Sequence, residues 1–576
     1  MTRVLTQERE AAARTPASLA TDAVIFAAGL AALYGVLGIG QNWLGPAQPV
    51  AEISLAPSAL PLYSFYSLWR MALAYAASML FALVYAYVAA RSRAAERLLI
   101  PLLDILQSIP VLSFLPGVML AMVSLFPARE FGLELGSVLL IFTGQVWNLA
   151  FSFYASLKGL PRELTEAATT YHLGHWQRFY QLELPFGAIG LVWNSMMSVA
   201  GGWFFLMACE MFQLGQRDFR LPGLGSYLQT AASAGDMRAI CWGLAAMIAV
   251  ILLLDQCLWR PLIAWAEKFK FEQVESTEAP RSAVLGALRR SGAIAWGRRR
   301  VFAPAWEMLT LRLAREEASE TAGEARPWGP YVLRALGVGL LAMTLYGAMR
   351  AGRVLMGLTR EELIVLLHGA AATFARVMGA LVIGILWTVP VGVAVGLRPR
   401  IASVVQPLAQ IAASVPATAL FPVVLLILFR AGGGMSLAAL LLMLLGTQWY
   451  LLFNVIAGAQ AVPSDLLEAA NIFRIRAWER WRLLLLPGIF PYLVTGLVTA
   501  AGGAWNASIV AEYSRFQGKV LATTGLGATI SQATDAGNFD LLLASTVALA
   551  LIVVTINRLL WKRLYRLAQT RFSLET

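Results

Sequence analysis

At 576 residues the chain is 59% hydrophobic and only 14% charged, against roughly 45–50% and 25% in soluble domains, and its mean hydropathy is +0.66. That much apolar surface excludes an ordinary soluble enzyme and makes a bilayer the solvent. The net charge of +12 does not point to nucleic acid, because the basic residues fall in short segments between apolar runs, as the positive-inside rule describes.

Residues 1–18 are polar, carry Arg3, Arg9 and Arg14, and read as a cytoplasmic tail. The mostly uncharged run 19–40 is long for a signal-peptide core and has no convincing cleavage site, so it reads as a retained first span. Five more apolar runs long enough to cross a bilayer as helices follow at 65–90, 98–126, 136–157, 187–211 and 239–262. A polar stretch at 266–328 has eleven Lys/Arg and nine Asp/Glu and reads as a cytosolic linker, with an amphipathic helix expected near 303–318. Six further spans are expected at 331–350, 373–396, 401–429, 436–458, 489–513 and 539–561, then a cytoplasmic tail, 566–576. The fold class is therefore all-α and integral to the membrane, with about twelve helices in two domains, 19–265 and 329–565. Arginine occupies the loops at 91–97 and 398–400, whereas 41–61 has no Lys or Arg; both termini are expected on the cytoplasmic side.

The second half repeats the first. IPVLSFLP (109–116) matches VPATALFP (415–422), GQVWNLAF (144–151) matches GTQWYLLF (446–453), and Arg70 matches Arg376. Trp203 and Glu210 recur as Trp505 and Glu512, and Gly223-Leu224-Gly225 as Gly525-Leu526-Gly527. The spacing is 302 residues from the fourth span onward and 306 before it, a register too long to arise by chance. Six spans per half leave both halves running the same way, related by a pseudo-two-fold axis along the membrane normal.

Two charged segments stand out in this repeat: EAATTYHLGHWQRFYQLELP at 166–185 and EAANIFRIRAWERWRLLLLP at 468–487. Each follows a proline, opens with acids suited to a helix N-terminus, continues with aromatics and arginines, and reaches a proline, Pro185 or Pro487, before the next span. Each is expected to form a short exposed amphipathic helix, closed by that proline and held between membrane helices on the cytosolic side.

Glu-Ala-Ala with proline nineteen residues after the Glu resembles the EAA loop of permease subunits in binding-protein-dependent ABC importers. The SIP…FLP stretch and the Glu-Tyr…Gly-Leu-Gly run look like the nitrate/sulfonate/taurine branch. The likeness covers about 19–265 and 329–565, as if two permeases of type I importer fold had been fused. It implies a bacterial inner-membrane subunit, one copy per transporter, that conducts a small solute delivered by an extracytoplasmic binding protein. It further implies that two cytosolic ATPase subunits supply ATP and Mg chemistry; no GxxxxGK[ST] occurs in this chain, and no cofactor is expected in it. The coupling residues it implies are Glu166, Ala167, Ala168, Gly174, Trp176, Leu184 and Pro185, and Glu468, Ala469, Ala470, Arg474, Trp478, Leu486 and Pro487. The family usually has glycine six residues after the Glu, where this chain has His172 and Arg474. That departure argues against the family's tight turn there, with Gly174 as a partial substitute in the first half only. The branch implies a small anion such as nitrate, bicarbonate or an organosulfonate, although it also includes carriers of pyrimidine-like vitamin precursors.

Other candidates are weighed by their residue chemistry. Gln145, Asn148, Trp203, Gln448, Trp505 and Asn506 lie in spans that would surround a central pathway, although interhelical hydrogen bonding is the commoner use of such residues. Glu210 and Glu512 end the fifth span of each half, where an acid is either solvated or braces an outer gate. Arg70 and Arg376 sit near span starts, where they snorkel or pair. Pro110, Pro116, Pro416 and Pro422 break or kink their helices. His172 and His175 lack a third metal ligand, and Cys209, Cys241 and Cys257 read as small buried hydrophobes. The rival readings are an ion-coupled secondary transporter of twelve spans, which has no need of a doubled docking helix, and an exporter on the same fold. An integral-membrane enzyme would need a clustered nucleophile, metal site or carboxylate pair, and the sequence offers none.

Overall fold

Inside a bilayer every backbone N–H must find its partner within its own segment, so apolar runs fold as helices. The computed structural model describes residues 52–126, 131–269 and 328–571, apart from 215, 216, 219, 517 and 518, and within the linker 283–297 and 303–308 with a few neighbouring positions. The tail 1–18 and the expected span 19–40 lie outside the described residues.

Eight described helices are long and apolar enough to cross a membrane. In the first half these are α1 (Leu60–Arg91), α4 (Phe131–Lys158), α6 (His175–Glu210) and α8 (Met237–Ala266). In the second they are α10 (Arg360–Gly396), α13 (Met435–Gln460), α15 (Ala477–Ala511) and α17 (Phe539–Ala568). The expected span 331–350 lies inside a further helix, α9 (Trp328–Met356). In each half the core is a three-helix layer: α4 packs between α1 and α6, and α13 between α10 and α15. Small residues allow the close approach that membrane helices use in place of a hydrophobic drive; a Cβ on Gly396 would lie 2.7 Å from that of Ala459.

The expected spans 98–126 and 401–429 are not single helices. The first is α2 (Arg93–Ser108), a 3-10 turn at Val111–Phe114, and α3 (Leu115–Leu125). The second is α11 (Pro399–Ser414) and α12 (Ala417–Arg430), bent by 84°. The cause is Pro110 and Pro416, which sit in extended backbone (φ −60, ψ 116 and φ −64, ψ 133) and supply no amide for a continuing helix. Pro116 is tolerated in the first turn of α3, and Pro422 lies inside α12. With the bent pair counted as one span, the described total is nine.

Helix ends repeat as faithfully as spans. α7 (Leu224–Ala234) and α16 (Leu526–Ala536) both stop at a left-handed glycine, Gly235 and Gly537, each with φ 69. The next residue then caps the following helix: Asp236 accepts the amides of Arg238 and Ala239, and Asn538 that of Leu541. α10 opens on a capping box, the Thr359 hydroxyl accepting the Glu362 amide while the Glu362 carboxylate accepts that of Thr359. Of the linker helix expected at 303–318, residues 303–308 are helical and the rest is largely outside the described residues.

Candidate functional site

The two charged segments fold alike. α5 (Arg162–Thr170) and α14 (Ser464–Ile472) carry the Glu-Ala-Ala triplets, with Glu166 and Glu468 exposed and Ala168 and Ala470 buried. Each helix ends at a non-glycine residue in the left-handed region: His172 and Arg474, both with φ 50. The closure is a complete Schellman pattern. The Leu173 amide donates to the Ala168 carbonyl at 3.0 Å and the His172 amide to Thr169 at 3.0 Å; the Ile475 amide donates to Ala470 and that of Arg474 to Asn471, at the same distances. The expectation that replacing the family glycine removes the tight turn is therefore overturned, because these paired hydrogen bonds hold the turn against the steric cost of a side chain there. Gly174 is no substitute: it is extended (φ −63, ψ 167) and caps the next helix.

A second correction concerns the prolines. Pro185 and Pro487 do not close the segments, since each segment is a helix, a turn and then the start of α6 or α15, which runs on into the membrane. A single π turn precedes each proline, at Phe179–Glu183 and Trp481–Leu485, with the Leu184 amide reaching back to the Phe179 carbonyl. Where hydrogen bonding shifts from five residues back to four, the amide that proline lacks is not needed. Leu184 and Leu486 open the α-helical part just before them. Nearby, Lys158 and Tyr154 hydrogen-bond the half-buried Glu96 carboxylate (2.7 and 2.6 Å), holding it below the usual carboxylate range.

Between the halves lies a cavity of about 320 Å³. Asn148, Trp505 and Asn506 border it, as sequence reasoning expected of pathway residues, together with Trp147, Trp449 and Tyr450. None of its lining side chains is charged. Trp147 and Trp449 are matched at the 302-residue spacing, the signal by which they were findable. Gln145, Trp203 and Gln448 do not border the cavity: they are buried among helices, and the Gln145 amide contacts Met71 Sδ at 2.9 Å. A smaller cavity of about 160 Å³ lies toward the end opposite the charged segments, lined by Met211, Phe212, Gln229, Tyr513 and Asp535 among others. The turn at Val111–Phe114 reaches across to the second half there, Thr546 Oγ1 donating to the Ser113 carbonyl at 3.2 Å.

Glu210 and Glu512 are neither solvated nor in either cavity. Each is wholly buried at the centre of an ion cluster within its own half. In the first half the Arg70 guanidinium, 2% exposed, holds Glu134 bidentately at 2.6 and 2.6 Å and Glu210 at 2.7 Å. Ser67 Oγ and the Gly225 amide complete the Glu210 carboxylate, each at 2.7 Å. In the second half Arg376 holds Glu512 at 2.7 Å, Thr373 replaces Ser67, and the Gly527 amide donates at 2.9 Å. The β-hairpins Gln213–Leu214/Arg217–Asp218 and Tyr513–Phe516/Lys519–Ala522 turn the chain back so that the Gly-Leu-Gly run meets the acid two elements earlier. Glycine is needed because a Cβ on Gly223 or Gly525 would run into the Glu210 or Glu512 carboxylate. Glu134 escaped the sequence reading because α4 starts at Phe131, before the apolar run. Its counterpart is Ser436, which accepts from Arg376 Nε at 3.1 Å. Of the cysteines, Cys209 is buried, whereas Cys241 and Cys257 are exposed on the outward face of α8, where lipid would be the apolar medium.

The family model for the binding-protein-dependent transport system inner membrane component matches the chain twice, at residues 67–257 and 380–573. Among curated proteins, the taurine transport system permease protein of Escherichia coli is 30% identical over 183 residues, 32% of this chain and 62% of that protein. The nitrate import permease protein of Leptolyngbya laminosa is 24% identical over 189 residues, 33% of this chain and 64% of that protein. The bicarbonate transport system permease protein of Synechocystis sp. is 27% identical over 141 residues, 24% and 49%. The matched region thus spans less than two thirds of each of these relatives.

Proposed function

The chain belongs to the family of binding-protein-dependent transport system inner membrane components, of nitrate/sulfonate/taurine type with two fused repeats, and on that premise we propose that it forms the whole translocation pathway of an ATP-driven importer. The family is one of multi-pass transport permease subunits rather than enzymes. In our reading residues 19–265 and 329–565 are the two permease domains, 266–328 links them on the cytosolic side, and both termini are cytosolic. One chain then serves one transporter.

The observation that carries this reading is the pair of Schellman-ended helices, α5 and α14, each set between two membrane helices of its repeat and matched at the same place in both. A helix locked at its C-terminal end by such a turn, and continuous through the next turn with a spanning helix, transmits a push from a cytosolic partner into α6 or α15. Two ATPase subunits, holding ATP and Mg, would draw the segments together on nucleotide binding and reopen them after hydrolysis. The solute would pass from an extracytoplasmic binding protein into the central cavity. That cavity suits a small anion bound without a fixed countercharge: its asparagine and tryptophan donors bind weakly enough to release. The relatives named for taurine, nitrate and bicarbonate support the class.

The test is a mild-detergent purification of the tagged chain from its native membrane, with ATP hydrolysis measured on the product. A soluble ATPase should co-purify, and Glu166→Lys with Glu468→Lys should release it. A chain that purifies alone and without hydrolysis would sink the importer reading in favour of an ion-coupled secondary transporter.

A further inference from the structure

The two coupling segments share a backbone but not a surface. In the second, Ile472 and Phe473 are both 77% exposed and Trp478 is 75% exposed. The matched positions in the first are Thr170, Tyr171 and Trp176: Tyr171 is as exposed as Phe473, at 78%, but Thr170 is polar and Trp176 is folded inward, stacked on Phe179 at 5.7 Å. The charges diverge as well. In 166–185 there is one arginine, and Arg178 is turned back onto Glu183 at 2.8 Å, with Arg91 on the same carboxylate at 3.1 Å. In 468–487 there are four arginines; Glu183 is replaced by buried Leu485, and Arg474, Arg476 and Arg482 are exposed. The linker adds a third difference. Trp306, in the short helix at 303–308, packs edge-on against Tyr180 at 5.8 Å, whereas the residue matched to Tyr180 is the exposed Arg482.

Resting on the importer reading above, we propose that the two segments dock their ATPase subunits by unlike chemistry and with unequal strength. The second segment is the main anchor: Ile472, Phe473 and Trp478 enter an apolar cleft whose rim carries carboxylates facing Arg474, Arg476 and Arg482. The first docks through a polar face, with the linker helix around Trp306 completing its edge. Large aromatic side chains burying most of their surface are the usual carriers of interface energy; the second segment offers two, Phe473 and Trp478, flanked by Ile472, where the first offers Tyr171 alone. Arginines around that apolar centre steer an acidic partner and set which cleft fits.

The experiment compares the full chain, purified with the ATPase identified by its GxxxxGK[ST] sequence and by hydrolysis, against three exposed-surface variants. Phe473→Ser with Trp478→Ser should lower the retained ATPase at least tenfold, and Tyr171→Ser with His172→Ser less than threefold. Arg476→Glu with Arg482→Glu should also release the ATPase and weaken the salt dependence of what remains. Size-exclusion profiles of the chain itself establish that each variant folds. Equal losses from the two segments, or a larger loss from the first, overturn the asymmetry while leaving the importer reading intact. A wild-type chain that retains no ATPase overturns both.

Discussion

Removing the Arg70 guanidinium tests the view that the far end of the first half is held by a buried ion cluster. Arg70→Met keeps the length and apolar stem of the side chain but strands two carboxylates, Glu134 and Glu210, that are shielded from water. Removing one partner of a buried pair costs about 3–5 kcal/mol, because the other charge stays buried without compensation. Arg70 serves two acids through three short charge-assisted bonds, which places it near the upper figure. Arg376 serves one acid, and its other contacts are hydroxyls, so Arg376→Met belongs near the lower. The difference of about 2 kcal/mol corresponds to roughly 25-fold in the folding equilibrium, at about 1.4 kcal/mol per decade. With each half melting as a unit of a couple of hundred residues, at about 2–4 °C per kcal/mol, Arg70→Met should lower the apparent Tm by about 10–20 °C and Arg376→Met by about 6–12 °C. The assay is thermal unfolding in detergent followed by size-exclusion of the remaining monodisperse protein. Glu134→Ser, which rebuilds the second half's arrangement in the first, should be tolerated far better than Arg70→Met. If Arg376→Met proves the more damaging, or neither arginine matters, the clusters are not what holds these helix ends.

Other outcomes follow from the same geometry. Gly223→Ala and Gly525→Ala each force a methyl group into a buried carboxylate, and each should cost about 3 kcal/mol as overpacking plus a weakened ion pair; unchanged folded yield would contradict this. His172→Gly and Arg474→Gly should leave stability equal or raise it by up to about 1 kcal/mol, since a side chain in the left-handed region is strained; a fall in Tm would mean that the side chains themselves hold the turn. Asn148→Asp places a carboxylate in the central cavity, where repulsion of an anion at about 5 Å is about 3 kcal/mol for an effective dielectric of 20. Uptake into vesicles of the reconstituted complex should fall at least tenfold with ATP hydrolysis preserved. Unchanged uptake would remove either the anion or the cavity from the account.

Hydropathy made the eight spanning helices legible because solvent exclusion acts on whole runs of residues. Hydropathy treated 98–126 and 401–429 as single runs; the signal for their breaks lay in Pro110 and Pro416, whose missing amides mark where each helix stops. The expected reach of the glycine rule misled at His172 and Arg474: two hydrogen bonds from neighbouring amides outweighed the preference for a bare backbone. Cavity membership was only partly legible. Along helices that are apolar on every side, nothing in the periodicity separates Asn148, which faces the cavity, from Gln145, which packs inside its own half. Glu134 was hidden for a simpler reason, since the helix begins earlier than the apolar signal that announces it. The pairing of Glu210 with Arg70 was signalled by both recurring in the duplicate, although the sequence did not say that they meet.

Carrying both repeats in one chain changes the evolutionary arithmetic of the machine. In a symmetric pair of identical subunits every substitution is made twice, and a change that helps one side of the two-fold axis must be endured by the other. Here each position is inherited once. Glu134 has serine at its matched position, Trp478 stands exposed while Trp176 is tucked in, and neither difference need be tolerated in duplicate. The tether also makes the joining of the halves a first-order event, at an effective concentration set by linker length rather than by abundance in the membrane. Two copies of the first half cannot mate within one chain, so specialisation of one half carries no risk of a mismatched pair.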